Sequence, residues 1–493
     1  MNKEDYFLLC DNCASILDDN IESENIIGIP FLHVIKEHPS LTTKYDNLFI
    51  ESNSYNYINL LLQFIKTFTR IIIGIFRKTF EIKKLIKEPY DVIFISHLLN
   101  ENQIRDPEDF YFYNLPSKLT SDNIKVLVIL INNTNLKPQV ISIKSGNTSF
   151  DKLILPKLTN LKIEFSIFLK MLNSARSLIK QTKNKGNLLK KKILFKSAIE
   201  SLKESSFFSI RIQKQLDQIF EITSPKYLII THEGHSWERM CFSAARKISR
   251  NIFCIGYQHS ILSKYQFSIS LDLTKLYNPD LVLTSGLISF EKLSTTIGLN
   301  NIQLDILGSN RGKSYSHISL LKEDITILVV PEGIEEECLK LFNFALEYSK
   351  LNNNLNFIFR LHPIINFDNF IKKYKIFKTL PFNIKFSFNS IETDLVNSQV
   401  VLYRGSNVII DAVLFGLMPI FLTDDKNISL DPLYFLNNNN WKKTIKNTSD
   451  FSKAISFYIE NRSNNIIKID SQDYCKKIFT PLNYNILRKY IYA

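Results

Sequence analysis

Short apolar runs rich in β-branched residues alternate along this chain with longer stretches of helical period. That alternation predicts parallel sheets covered by helices. In the first half the runs 92-VIFIS-96, 125-KVLVILI-131, 227-YLIIT-231, 253-FCIGY-257, 281-LVLTS-285 and 303-QLDILG-308 read as strands. Residues 155–222 are helical and basic, and residues 1–90 read as an extra α/β portion or an extension of the first domain. A second series follows: strands 325-ITILVV-330, 356-NFIFRL-361, 384-IKFSF-388, 399-QVVLY-403 and 418-MPIFL-422. Its helices fall over roughly 335–350 and 407–416, with closing helices over roughly 449–460 and 471–491.

Between the series lies 308-GSNRGKSYSHIS-319, which has no periodic apolar face and suits a hinge. The expected organisation is an N-terminal extension over 1–90, a first doubly wound domain over 91–310, a second over 320–470, and a C-terminal helix over 471–493. At 493 residues the chain exceeds one ordinary core.

The most apolar stretch, 60-LLLQFIKTFTRIIIGIFRKTF-80, is interrupted by Lys66, Arg70 and Arg77, so it does not read as a spanning helix. Gln63, Lys66, Thr67, Arg70, Gly74, Arg77 and Lys78 recur at three- and four-residue steps and form one polar stripe. A helix packed on a core and a basic helix lying on anionic inner-membrane lipid both fit. The formal charge of +13 fits either an evenly charged surface or an anionic partner. The densest basic run, 183-KNKGNLLKKKILFK-196, lacks interleaved aromatic platforms, which argues against nucleic acid as the partner. Six scattered cysteines include a single CxxC, Cys10 and Cys13, with no completing ligands, so no metal site is expected. No secretory segment is read at the N-terminus, and the expected location is cytoplasmic.

In parallel α/β sheets ligands bind beyond the carboxyl ends of the strands. The unusual clusters of this chain stand at such ends: 231-THEGHSWE-238, 257-YQHS-260, 285-SG-286, 331-PEG-333 with Glu332, 361-LHP-363 and 404-RGSN-407. Glu233 has the attributes of a general base, a carboxylate flanked by His232 and His235. Gly234 admits close approach, and Trp237 offers a sugar-stacking platform. Glu238 is the competing carboxylate; at a helix start it also suits the dipole. His259 is a candidate acceptor or donor contact and equally a structural histidine. In the second series Gly405 permits a tight turn, Ser406 or Asn407 can cap a helix, Arg404 adds fixed charge, and Asp411 can take sugar hydroxyls. Pro363 turns the chain so that His362 is held at the sheet edge.

These motifs resemble those of GT-B glycosyltransferases of bacterial surface polysaccharides, in particular the CMP-sugar-dependent sialyl-, polysialyl- and capsule-type Kdo transferases. The acidic-acidic-Gly motif is matched by 232-HEG-234, with His232 in place of the first acid. The HP motif is matched by His362-Pro363, and the Ser-Ser or Ser-Thr motif by 406-SN-407. The resemblance covers roughly 225–425. It implies two Rossmann-like domains facing a central cleft, with Glu233 as catalytic base, His362 on the CMP phosphate or cytosine, and Ser406 on the phosphate. It implies metal-independent chemistry, with Arg404, Arg360 and Arg311 as candidates to stabilise the leaving phosphate. No cofactor is implied beyond the CMP-sugar donor itself, and the acceptor would be a glycan or lipid-linked glycan of lipopolysaccharide or capsule. A GT-B transferase or epimerase using a UDP-sugar, a transferase using a CDP-polyol, and a non-catalytic membrane-face protein are the rival readings.

Overall fold

A computed structural model describes residues 2–23, 27–33, 43–50, 57–75, 82–86, 88–145, 148–184, 187–311, 325–424, 431–434 and 440–492. The fold is α/β, with two separate sheets. The first has eight strands: β1 (Val92–Leu98), β2 (Val126–Asn132), β3 (Gln139–Ser145), β4 (Thr148–Ile154), β5 (Tyr227–Thr231), β6 (Phe253–Gln258), β7 (Leu281–Thr284) and β8 (Gln303–Ile306). They stand in the order β3-β4-β2-β1-β5-β6-β7-β8, parallel except for β3 on the edge. The second has six parallel strands: β9 (Ile325–Pro331), β10 (Leu355–Phe359), β11 (Ile384–Phe386), β12 (Val400–Arg404), β13 (Met418–Leu422) and β14 (Lys443–Ile445), in the order β11-β10-β9-β12-β13-β14. Each sheet winds outward in both directions from its first strand. The order of winding across the sheet therefore reverses between β1 and β5 and between β9 and β12, the switch points where doubly wound sheets bind ligands.

The strands are apolar at nearly every position because both faces are covered. Ile93 and Ile95 enter one core layer and Val92 and Phe94 the other, the two-residue period of a strand. Three strands were not expected. The β3–β4 hairpin mixes polar and apolar residues, as an edge permits, and β14 spans only Lys443–Ile445. The described residues before 91 form helices and no strand, which corrects the expected α/β character of that portion. With the helices Leu161–Asn184 and Leu188–Ser201 they share one core, built on Leu9, Ile16, Leu32, Ile167, Leu178 and Leu194. Of the expected hinge, 312–319 lie outside the described residues, as do 76–80 of the apolar stretch.

The closing helix is two helices, Asn465–Ile478 and Tyr484–Ile491, separated by a segment holding Pro481. The first packs on the second sheet's layer through Cys475 and Ile478. The second returns to the first sheet, where Leu487 and Ile491 join the layer of Val92 and Phe94. The crossing is tied by backbone bonds: Ser309 N–H donates to Thr480 O at 2.7 Å, Thr480 N–H to Ser285 O at 3.1 Å, and Asn483 N–H to Leu307 O at 2.8 Å. Lys292 adds a link between the units, donating to the Tyr434 hydroxyl at 2.7 Å.

Leu487 is fully buried in that layer although it lies far along the chain from its partners. Leu487→Ala is expected to lower the stability of the first unit by about 2–4 kcal/mol, read from the urea-unfolding midpoint. Phe382→Ala, at an exposed side chain, leaves that midpoint unchanged.

Candidate active site

The turn after β5 is organised by Glu238, in the first turn of the helix Ser236–Ile248. Its carboxylate is buried and Oε2 accepts the N–H groups of Glu233, Gly234 and His235, each at 2.9 Å. Burial favours protonation of Glu238, but His232 and His235 outweigh it and hold the group below the usual carboxylate range. His232 is fully buried, its Nδ1 3.4 Å from Glu238 Oε2, and burial holds the ring neutral. Neither residue reaches solvent, so both are corrected from candidate catalytic groups to supports of the turn. Gly234 is corrected too. It has φ +86°, and a Cβ there would lie 2.3 Å from the Ser268 carbonyl carbon. What approaches it is this chain's own backbone. Ser268 is held in turn by the buried Arg239, whose guanidinium donates to Ser268 O at 2.8 Å.

With the turn fixed, the Glu233 side chain leaves it at the carboxyl end of β5. His235 Nε2 and Glu233 Oε2 are 3.0 Å apart, and Ser260 Oγ donates to Glu233 Oε1. Burial pushes the Glu233 pKa up, but the His235 hydrogen bond, the neighbouring His259 and the Ser260 hydroxyl bring it well below the usual range. Glu233 is therefore ionised at neutral pH. His259 follows β6, with its ring 4.7 Å from that of Tyr111, and burial lowers its pKa against the opposing pull of Glu233. His97, near the end of β1, belongs to the same group. Its ring stands edge-on to Trp237 at 5.0 Å, and burial lowers its pKa to about 4. Trp237 is buried in the core layer of β1 and β5, which removes it as a sugar platform.

Sequence reasoning missed His97, Tyr111 and Ser260 as members of this group. The usable signal for His97 was its place directly after the apolar run 92–96. Five of the eight histidines of the chain, His97, His232, His235, His259 and His362, stand at or just beyond the carboxyl ends of strands.

At the second switch point Gly405 turns the chain after β12 with φ +73°. A Cβ there would fall 2.7 Å from the Glu332 carboxyl carbon, so the Glu332 carboxylate lies against this glycine. His362 sits beside Gly333, and its Nδ1 accepts the Ile364 N–H at 3.3 Å. That leaves Nε2–H of the neutral ring as a donor. Pro363 is exposed beside it. Ser406 is buried and Asn407 exposed, and neither side chain caps the helix Val408–Leu414. Arg404 is not a free cation: its Nε donates to Glu337, and Nη1 donates to Leu422 O at 3.0 Å. Arg360 is likewise engaged, 2.6 Å from Asp394 Oδ2 and 2.8 Å from Asn389 O. Asp411 lies beside Cys475 of the helix Asn465–Ile478, whose thiol is pushed up by burial and then by this carboxylate. Of the three arginines considered, Arg311 alone forms no ion pair among the described residues. Its guanidinium lies 5.7 Å over the Phe479 ring and is close enough to Tyr111 and His259 to influence both.

No protein-family profile and no curated protein sequence matches this chain. Among solved structures, it is similar to an α,α-trehalose-phosphate synthase (UDP-forming) from Burkholderia vietnamiensis, with TM-score 0.50, 7% identity, and coverage of 82% of this chain and 99% of that one. The fold is of the GT-B type. A UDP-GlcNAc 2-epimerase from Methanocaldococcus jannaschii gives TM-score 0.45 at 13% identity, covering 82% of this chain and 100% of that one. A glycosyltransferase from Rickettsia africae gives 0.45 at 12%, covering 82% and 97%. In the GT-B fold two Rossmann-like domains face a central cleft.

The neutral histidine group carries a pH dependence. An unfolded chain protonates His97 near 6.5, whereas the folded protein resists it down to about 4. Between those values the unfolded state binds more protons, so stability falls as pH drops from 7 toward 4. The lowered pKa values of Glu233 and Glu238 add loss in the same direction below the ordinary glutamate range. At pH 5 the His97 contribution is about 2 kcal/mol. His97→Gln is expected to flatten the decline in thermal midpoint between pH 7 and 5 relative to the unsubstituted protein.

Proposed function

We propose that this protein is a metal-independent glycosyltransferase that uses a nucleotide-sugar donor. The observation that carries this reading is Glu233: an ionised, partly exposed carboxylate at the first switch point, held by His235 and Ser260 among neutral imidazoles. Glu233 takes the proton of an acceptor hydroxyl as the glycosyl bond to the nucleotide breaks. Its low proton affinity suits a late transfer, in which the hydroxyl becomes acidic only as it bonds to the oxocarbenium-like carbon. His362 Nε2–H and the turn at Gly405 and Ser406 are assigned to the nucleotide, and Arg311 to the leaving phosphate. The acceptor is a glycan or lipid-linked glycan of a surface polysaccharide.

A uridine diphosphate donor is the reading best supported, because the α,α-trehalose-phosphate synthase similar in fold is UDP-forming. A CMP-activated acidic sugar is the second reading. It is favoured by His362-Pro363 and 406-SN-407, which follow β10 and β12, the two strands that flank β9 in the second sheet.

Glu233→Gln keeps the hydrogen bonds of the turn, which run to Glu238, and removes the base. Transfer is expected to fall about 10³-fold or more while nucleotide binding persists; full activity in this variant sinks the mechanism. A thermal-shift series with UDP, CMP, CDP and GDP separates the donors. Stabilisation by UDP supports the first reading, stabilisation by CMP alone the second, and no response to any nucleotide removes both.

A further inference from the structure

The helix Tyr57–Ile75 packs inward through a mixed row of Leu60, Phe64 and Thr67. Thr67 is buried, and its hydroxyl donates to Leu202 O at 2.5 Å, while Leu60 and Phe64 pack on the helical core. The opposite side exposes Ile58, Leu61, Ile65, Phe68 and Ile72, spaced by three and four residues, with Ile58 73% exposed. The helix therefore carries apolar residues on two sides, and the described residues of the chain cover only one of them. The neighbouring helix Leu161–Asn184 continues the surface. Its Leu161, Phe165 and Leu169 are exposed at four-residue steps. The two rows join through the buried Phe168, whose ring lies 6.0 Å from that of Phe68 and 6.2 Å from that of Phe165.

The charge of the chain is concentrated beside this face. Residues 157–201 contain 11 Lys and Arg against 2 Asp and Glu, a net +9 of the +13 of the whole chain. One of the two acids, Glu164, is buried in a pair with Arg211. Along the helix Leu161–Asn184 the exposed apolar row gives way to exposed Arg176, Lys180 and Lys183. An apolar stripe set beside dense positive charge is complementary to an anionic bilayer surface: the stripe enters the acyl boundary while the cations meet head groups. No described helix is long and apolar enough to cross a membrane, so contact is in the plane of the interface.

We propose that the joined face of the helices Tyr57–Ile75 and Leu161–Asn184 docks this protein on an anionic lipid bilayer. The docking stands apart from the catalytic reading and does not require it. The core beneath this face also includes Leu271, Leu273 and Tyr277, from the segment that follows Ser268.

The test is flotation of the full chain with phosphatidylcholine vesicles, with and without phosphatidylglycerol. The protein is expected to float with the anionic vesicles and to remain behind with the neutral ones. The double variant Ile58→Ser, Leu61→Ser is expected to reduce the bound fraction about tenfold or more with an unchanged thermal midpoint, because both side chains are mostly exposed. Replacing Lys162, Arg176 and Lys180 by Gln weakens binding through charge alone. The proposal is overturned if the unsubstituted protein ignores anionic vesicles or if the double variant binds them equally well. It is also overturned if the protein is a dimer without lipid affinity that the double variant makes monomeric, since the face then joins two copies of the chain.

Discussion

The carboxylate of Glu238 fixes the geometry of the first site. A buried charge is tolerated only when its lone pairs are filled, and three consecutive backbone N–H groups fill them here. Those donors belong to the residues that must be positioned, Glu233 to His235. The tight turn they make requires the positive φ of Gly234 and places Ser268 against it. Arg239, one residue along the helix, binds Ser268 from below. Once the backbone is held in this way, the Glu233 side chain can only emerge toward Ser260 and His235.

The second unit spends its charges in the same manner. Arg404 ends β12 and is matched by Glu337 from the first turn of the neighbouring helix, while Arg360 is matched by Asp394 from the first turn of another. Acids in the first helical turn serve the helix dipole and neutralise a strand-end arginine together. The groups left for a ligand are then few and mostly uncharged at neutral pH: His362, Gly405 and Ser406, with Glu332 beside them. In the proposed reading, backbone and imidazole donors of this unit meet the nucleotide, and the fixed positive charge comes from Arg311, which follows the first sheet.

Apart from β3, β4 and β14, the strand positions, their parallel pairing and the grouping of candidate residues at carboxyl ends were legible in the sequence. Apolar runs of four to seven residues between helical stretches admit little else. His97 escaped notice because a single histidine after a strand carries no pattern; only the adjacency of β1 and β5 brings it beside Glu233. That Trp237 is buried and that Arg404 and Arg360 are ion-paired was not legible, for a shared reason. Aromatic and cationic side chains are equally suited to a cleft and to a satisfied interior, and residue type does not distinguish the two. The apolar stretch at 60–80 was ambiguous in the same way, because its stripe has the same period whichever side faces the core.

The sequence by itself determined that this is a two-sheet α/β chain with its chemistry at strand ends, because hydrophobic period and turn residues act locally. Tertiary structure decided which of those residues remain available, because availability depends on partners far along the chain. Glu337 reaches Arg404, Leu202 turns Thr67 inward, and Ser260 joins Glu233. Each is a long-range electrostatic or hydrogen-bond requirement that a local pattern does not encode.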